Sequence, residues 1–386
     1  MTNALIRWAN FPFDRKIFSV RHFREDCSTD LDRQDCLFIL GENDAIGKAD
    51  DYYLMTERTR GKRKFSGWGM SVDELPCLDD GDIIRYDGKE KTLEIIFQIQ
   101  SGTNTLYVTN ACNSRCLFCP QPSTLDNGTL YNDCIELIKL VADAGAIVNV
   151  SGGEPTLSRE RFIRLLSFSA DKWPSTKLFV LTNGRLLKDC SYVEEIFVVR
   201  NQETIGFGIP LYSDSSVGHD AIVGVNGAFG QTIQGLFNLA LKHAEIEIRF
   251  VISKMNYKRL PKLVEFIGRN IPFVTRIAVM GLEPMGYCRE NWDRFWIDPE
   301  NYVETLVEAA SEAMNYNITM FLYNMQLCCL PKELHGIAFA SISEWKRVYV
   351  HECNACPMRC ECGGFFASQN DIRFLPKKFK PETKQQ

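Results

Sequence analysis

Between about residues 101 and 315 the chain alternates six times between a short apolar run and a stretch of helical period. The apolar runs fall at 105–110, 146–150, 177–182, 205–212, 247–253 and 276–280. The helical stretches centre on 131–144, 159–170, 192–197, 231–243, 258–270 and 299–315. Six strand–helix units in a row predict a parallel sheet with right-handed crossovers. An incomplete (β/α) barrel and a doubly wound sheet both fit this periodicity. Either architecture gathers function at the C-terminal ends of the strands.

The flanking segments differ. Residues 1–100 show no useful helical period, only short runs such as 36–40 and 93–98, with turn signals at Asp80-Gly81 and Asp87-Gly88. This predicts a β-rich unit built from hairpins. Its basic run at 58–64 (RTRGKRK) reads as a solvated loop. The tail, 321–386, is Cys-rich and closes on a Lys-rich end (KKFKPETKQQ) expected to fray. A segment so short and so rich in cysteine needs a cross-link or a metal to order it.

Cysteine is where composition becomes informative. The 386-residue chain carries 15 cysteines, an odd number in a chain too long for a disulfide-stapled domain. Cys112, Cys116 and Cys119 form one cluster; Cys328, Cys329, Cys353, Cys356, Cys360 and Cys362 form another. Cys27, Cys36, Cys77, Cys134, Cys190 and Cys288 are scattered and read mostly as small apolar residues. Clustered thiols in a reducing compartment point to metal. The formal net charge of −5 argues against a dominant nucleic-acid surface. No apolar stretch approaches the ~18 residues of a membrane helix, and the N-terminus lacks a signal-like core. A soluble cytoplasmic protein without membrane or nucleic-acid partners is the expectation.

Cys112-x3-Cys116-x2-Cys119 directly follows the first strand of the repeat. Its thiols can converge in one loop, one ligand short of the four that close an iron–sulfur cluster. An open coordination position marks a catalytic site; a zinc loop or a chance cluster of thiols is the alternative. Ser151-Gly152-Gly153-Glu154-Pro155 follows the second strand, and its adjacent glycines permit close backbone approach to a ligand, with free N–H and C=O groups. Both motifs end neighbouring parallel strands, so they lie side by side on one face.

Over about residues 104–285 the sequence resembles the radical S-adenosylmethionine (radical SAM) enzymes. The C-x3-C-x2-C loop, with Phe118 before its last Cys, looks like their cluster loop; Gly152-Gly153-Glu154-Pro155 resembles the segment contacting the methionyl amino group. The resemblance implies a partial (β/α)6 TIM-type barrel flanked by the β-rich and Cys-rich segments. It implies a [4Fe–4S] cluster on Cys112, Cys116 and Cys119, with SAM at the fourth iron. Reductive cleavage of SAM to methionine and a 5′-deoxyadenosyl radical would follow. By analogy, Asn183 (in Thr182-Asn183-Gly184), Ser213 (in Tyr212-Ser213-Asp214) and Arg249 meet SAM's ribose and carboxylate. A loop or helix cap, or for Arg249 a buried ion pair, is the structural alternative. No catalytic side chain is assigned. His219-Asp220, followed by Gly224, Gly227 and Ala228-Phe229, reads as a shaped loop over the barrel mouth. An acid–base role and a structural loop bond both stay open for the pair.

In the tail, Cys353-x2-Cys356-x5-Cys362 has iron–sulfur or zinc spacing, with Cys328 or Cys329 to complete four and Cys360 in reserve. It resembles the auxiliary-cluster extensions of peptide-modifying radical SAM enzymes. Phe366 stands where a two-cluster version would carry another Cys, which favours one additional [4Fe–4S] cluster. Of the five histidines only His351 lies near enough to serve as a ligand. The tail pattern Leu330-Pro331, Ile342-Ser343-Glu344-Trp345-Lys346, Cys353, Cys362-Gly363-Gly364-Phe365-Phe366-Ala367-Ser368 is similar to the C-type radical SAM maturase of the His-Xaa-Ser peptide system. That implies a ribosomally made peptide substrate, peptide recognition by residues 1–100, a companion radical SAM maturase and an electron donor such as flavodoxin or ferredoxin. Other readings are a thioether-forming or sulfatase-type maturase, a small-molecule cyclase, or a zinc-stabilised binding protein without enzyme activity.

Overall fold

The computed structural model describes residues 3–9, 11, 14–22, 36–39, 52–56, 68–72, 77–343, 346–369 and 371–377. The basic run at 58–64, Cys27, Glu344-Trp345 and the end beyond Lys377 lie outside the described residues. The chain divides into two compact units. One comprises Met1–Val108, Asn127–Asn149 and Ser167–Lys177, the other Thr109–Asp126, Val150–Leu166 and Leu178–Gln386.

Seven strands of the first unit close into a barrel: β1 (Asn3–Ala9), β2 (Arg15–His22), β3 (Cys36–Ile39), β4 (Tyr52–Thr56), β5 (Trp68–Val72), β6 (Ile83–Asp87) and β7 (Thr92–Phe97). Their order is β1-β5-β4-β3-β2-β6-β7. Only β6–β7 is the expected kind of hairpin. β2–β3, β3–β4 and β4–β5 pair in parallel. The reason is connection length: links of 13, 12 and 11 residues separate these strands, long enough for parallel crossovers that a tight turn cannot make. Alternate side chains fill the barrel with Phe18, Val20, Leu37, Leu54, Met70 and Ile84, all buried. Helix α1 (Thr129–Leu140), in the same unit, is tied on by charge. Its Asp133 accepts from Arg15 at 2.5 Å and from Arg85 at 3.0 Å.

The repeating region forms one eight-stranded sheet. Its strands are β8 (Thr105–Tyr107), β9 (Ile147–Ser151), β10 (Lys177–Leu181), β11 (Ile205–Pro210), β12 (Glu245–Val251), β13 (Arg276–Met280), β14 (Thr319–Tyr323) and β15 (Ala338–Phe339). They stand in strict chain order, and the pairs from β10 through β15 are parallel. A doubly wound sheet reverses its order at a switch point; this sheet does not, so the partial (β/α) barrel is the correct alternative. It carries two strands more than the periodicity counted, because β14 straddles the start of the stretch read as tail and the two-residue β15 lies within it. The helices are α2 (Arg159–Lys172), α3 (Cys190–Val199), α4 (Ser216–Val223), α5 (Ala228–Ala240), α6 (Leu260–Asn270), α7 (Gly286–Glu290), α8 (Trp292–Phe295) and α9 (Val303–Asn315).

The loop expected around His219-Asp220 is instead helix α4. Ser215 caps its start by accepting the Gly218 N–H, and Gly224, at φ 72°, ends it. The glycines punctuate this helix rather than prevent it. Gly227 then opens α5, three residues earlier than the periodicity suggested. Among the described residues no helix is long and apolar enough to cross a membrane.

Candidate active site

The Cys112–Cys119 loop is held from two sides. On one, the carbonyls of Ile222 and Val223, left open by the end of α4, accept the Leu117 N–H at 2.9 Å and the Arg115 N–H at 3.0 Å. On the other, Asn183 Nδ2 donates to Asn113 Oδ1 at 2.6 Å, and Arg185 Nη1 donates to the Asn113 carbonyl at 2.5 Å and to Ser114 Oγ at 2.9 Å. Within the loop the Ser114 N–H points at Cys112 Sγ, 3.4 Å away.

The Gly152-Gly153 turn lies against the same loop. A Cβ on Gly152 would fall 2.5 Å from the Thr109 carbonyl oxygen, and one on Gly153 2.3 Å from that of Ala111. Only glycine permits this approach. The sequence suggests free N–H groups at this turn, but those of Gly153 and Glu154 are taken: they donate to Thr109 O at 2.7 Å and Ala111 O at 2.8 Å.

Between these walls opens a cavity of about 550 Å³, within the ~300–1,000 Å³ range of small-molecule sites. Cys112, Cys116, Cys119, Phe118, Gly152, Gly153, Asn183 and Arg249 all line it. Phe118 is braced edge-on by Tyr212 and Phe295, with ring centroids at 5.8 and 5.4 Å. Arg249 reaches the cavity with Glu247 3.8 Å from its Nε, and it donates to Met280 Sδ at 3.3 Å. It thus lines the cavity while an acidic neighbour stands beside it, the arrangement the ion-pair alternative described.

Two expected cofactor residues stand behind the wall. Glu154 is buried, and its carboxylate accepts from the Thr156 N–H and hydroxyl, the Thr182 hydroxyl and the Asn183 N–H, at 2.6–3.0 Å. Ser213, also buried, shares its hydroxyl with Ser215 and Asp214 at 3.3 Å. His219 and Asp220 make loop bonds: His219 Nδ1 accepts the Tyr212 N–H at 3.2 Å, and Asp220 accepts the Gly227 and Phe229 N–H groups. Burial pushes the His219 pKa down to about 4. Arg185, one residue beyond Thr182-Asn183-Gly184, carries no motif signal of its own.

Burial raises the pKa of all three loop thiols, that of Cys116 to about 12, and the neighbouring sulfurs push Cys112 and Cys116 further up. Arg185 pulls those two the other way. Ligation therefore requires a cationic group that displaces the protons. Among the described residues no three His, Cys, Asp or Glu side chains converge on a single ion. In a cubane cluster each thiolate takes its own iron, so three sulfurs spread around one cavity would fit such a cluster rather than a single ion, with one iron left without a thiolate ligand.

The tail builds a second, smaller cavity of about 220 Å³, and Cys328, Cys353, Cys356 and Cys362 all line it. Burial raises the Cys353 pKa, and the other three thiols push in the same direction. Cys329 lies next to the set, raised by its hydrogen bond with Cys328 and by burial. Cys360 is exposed. Neither Cys329 nor Cys360 lines the cavity, nor does His351. The antiparallel pair β16 (Arg347–Val348) and β17 (Phe365–Phe366) frames this region.

Residues 106–285 match the model of the Radical SAM superfamily. Fe-coproporphyrin III synthase of Methanosarcina barkeri is 24% identical over 208 residues, 51% of this chain and 50% of that protein. The AdoMet-dependent heme synthase of the same organism is 28% identical over 162 residues, 41% of this chain and 44% of that protein. The chain thus spans about half the length of the curated relatives it matches. Streptococcus suis SuiB bound to S-adenosylmethionine aligns with a TM-score of 0.46 at 20% identity, covering 57% of this chain and 50% of that one.

Proposed function

We propose that this chain, whose residues 106–285 match the model of the Radical SAM superfamily, is a peptide-modifying radical SAM enzyme whose substrate is of the His-Xaa-Ser repeat type. The observation that carries the radical SAM part is one cavity lined by all three loop cysteines and by the Gly152-Gly153 turn. Cys112, Cys116 and Cys119 would hold a [4Fe–4S] cluster. When bound, that cluster supplies the electron that cleaves SAM to methionine and a 5′-deoxyadenosyl radical.

The chain's own residues bind, orient and exclude water. The Gly152-Gly153 backbone gives SAM's methionyl end an unobstructed wall, Asn183 lies beside the Cys loop, and Arg249 offers a guanidinium for a carboxylate. Phe118, Tyr212 and Val251 keep one side of the cavity apolar. Glu154 and Ser213 serve by fixing the turns that carry these groups.

In the tail, Cys328, Cys353, Cys356 and Cys362 are the ligands of an auxiliary [4Fe–4S] cluster in this reading; their shared cavity supports it. The His-Xaa-Ser assignment rests on the tail pattern from Leu330 to Ser368. It brings with it a companion radical SAM maturase, a flavodoxin- or ferredoxin-type electron donor and a cytoplasmic setting. A second reading, a small-molecule substrate, draws on the names of the curated relatives, which make a coproporphyrin and a heme. Incubation with SAM, reductant and a repeat-bearing peptide separates the two. A mass change in the peptide is expected; turnover of SAM with the peptide unaltered would remove the peptide reading.

A further inference from the structure

The turn after β10 places a charge behind the Cys loop. Gly184, at φ 73°, turns the chain so that Asn183 and Arg185 both reach Asn113 and Ser114. A Cβ on Gly235 of α5 would fall 2.3 Å from the Gly184 carbonyl oxygen, so that helix presses directly on the turn. From the same helix Thr232 donates to the Asn183 carbonyl at 3.0 Å, and Gln231 accepts from Arg185 Nε at 2.8 Å. The arginine is only 9% exposed. Its side chain donates to the Asn113 carbonyl, the Ser114 hydroxyl and the Gln231 amide oxygen. All three acceptors are neutral, so none of these bonds cancels the guanidinium charge, and two of them end on the segment between Cys112 and Cys116.

Adding one electron to a site held by three thiolates adds one negative charge beside that segment. A buried cation fixed there lowers the energy of the added charge, and local charge and hydrogen bonding are the levers that set iron–sulfur potentials. We infer that Arg185 is a positioning residue that clamps the Cys112–Cys116 segment and, through its charge, raises the reduction potential of the cluster held there. This rests on the reading of the Cys loop as a cluster loop. The electron comes from the external one-electron donor.

The test is an EPR-monitored redox titration of the reconstituted full chain, with iron and sulfide content measured alongside, for wild type, Arg185→Gln and Arg185→Lys. Wild type without iron would refute the cluster reading itself, before any variant is compared. With iron present, Arg185→Gln should shift the reduction equilibrium at least tenfold towards the oxidised form, about 59 mV for one electron, and Arg185→Lys should stay within that margin of wild type. If Arg185→Gln takes up no iron while Arg185→Lys keeps the wild-type potential, the cation requirement is likewise supported. Arg185→Gln with full iron at the wild-type potential would overturn the inference. So would a Lys variant that shifts as far as Gln or that also holds no iron.

Discussion

Glu154 Oε2 accepts the backbone N–H of Asn183 at 2.8 Å and so ties the turn after β9 to the turn after β10. The same carboxylate takes the Thr182 and Thr156 hydroxyls, each at 2.6 Å. Glu154→Ala leaves buried donors without an acceptor, each worth about 1–3 kcal/mol. A loss of roughly 3 kcal/mol is expected in urea denaturation, together with faster alkylation of the Cys loop thiols. A neutral effect on both would show that the turns stand without this carboxylate.

His219 gives the second prediction. Its pKa lies near 4 in the folded chain, below the ~6.5 of an unperturbed histidine. The unfolded chain therefore binds the extra proton first, and stability falls as pH drops from about 6.5 towards 4, by up to about 3 kcal/mol. Above that window the contribution is fully present. His219→Gln, which still offers an acceptor to the Tyr212 N–H, should lose this part of the pH dependence when stabilities at pH 7 and pH 5 are compared. Equal slopes in both proteins would mean that His219 is not the group responsible.

Phe374 packs edge-on against Trp292 at 5.2 Å, within the cluster of buried side chains that also contains Phe118 of the Cys loop. Truncating a buried phenylalanine costs about 3–5 kcal/mol. Phe374→Ala should show a loss of that order and altered emission from the stacked Trp292–Trp296 pair. An unchanged denaturation midpoint would show that residues 371–377 contribute little to holding α7 and α8.

The two cavities predict an iron count. Wild type should bind about eight irons, and replacing Cys328, Cys353, Cys356 and Cys362 together by Ala should leave about four. Cys329→Ala and Cys360→Ala should leave the count unchanged, because neither side chain lines the cavity. Zinc in place of iron, or a full count after the fourfold replacement, would remove the auxiliary cluster.

Much of this was legible in the sequence because the strands announce themselves locally. β13 lies at 276–280, as its apolar run indicated, and the Cys loop and Gly-Gly turn needed only chain order to be placed side by side. What stayed hidden depended on long-range partners. The parallel pairings of β2 to β5 leave no local pattern that differs from a set of hairpins. β15 is two residues long, too short to show a period. Arg185 carries no motif; its role exists only once α5 and the Cys loop close on it. Glu154 matched a cofactor motif, yet its four hydrogen bonds turn it away from the cavity, which spacing alone cannot reveal. Choosing Cys328 over Cys329 in the tail likewise needed a cavity wall, since adjacent residues are equivalent in sequence.

The central claim is that Cys112, Cys116 and Cys119 hold the cluster that cleaves SAM in the cavity they line. The direct measurement is 5′-deoxyadenosine formed by the anaerobically reconstituted chain with SAM and reductant, in wild type and with the three cysteines replaced together by Ala. Wild type should form it, and the triple variant should form none above the protein-free control. Equal formation by both would contradict the account, as would an iron-loaded wild type that forms none.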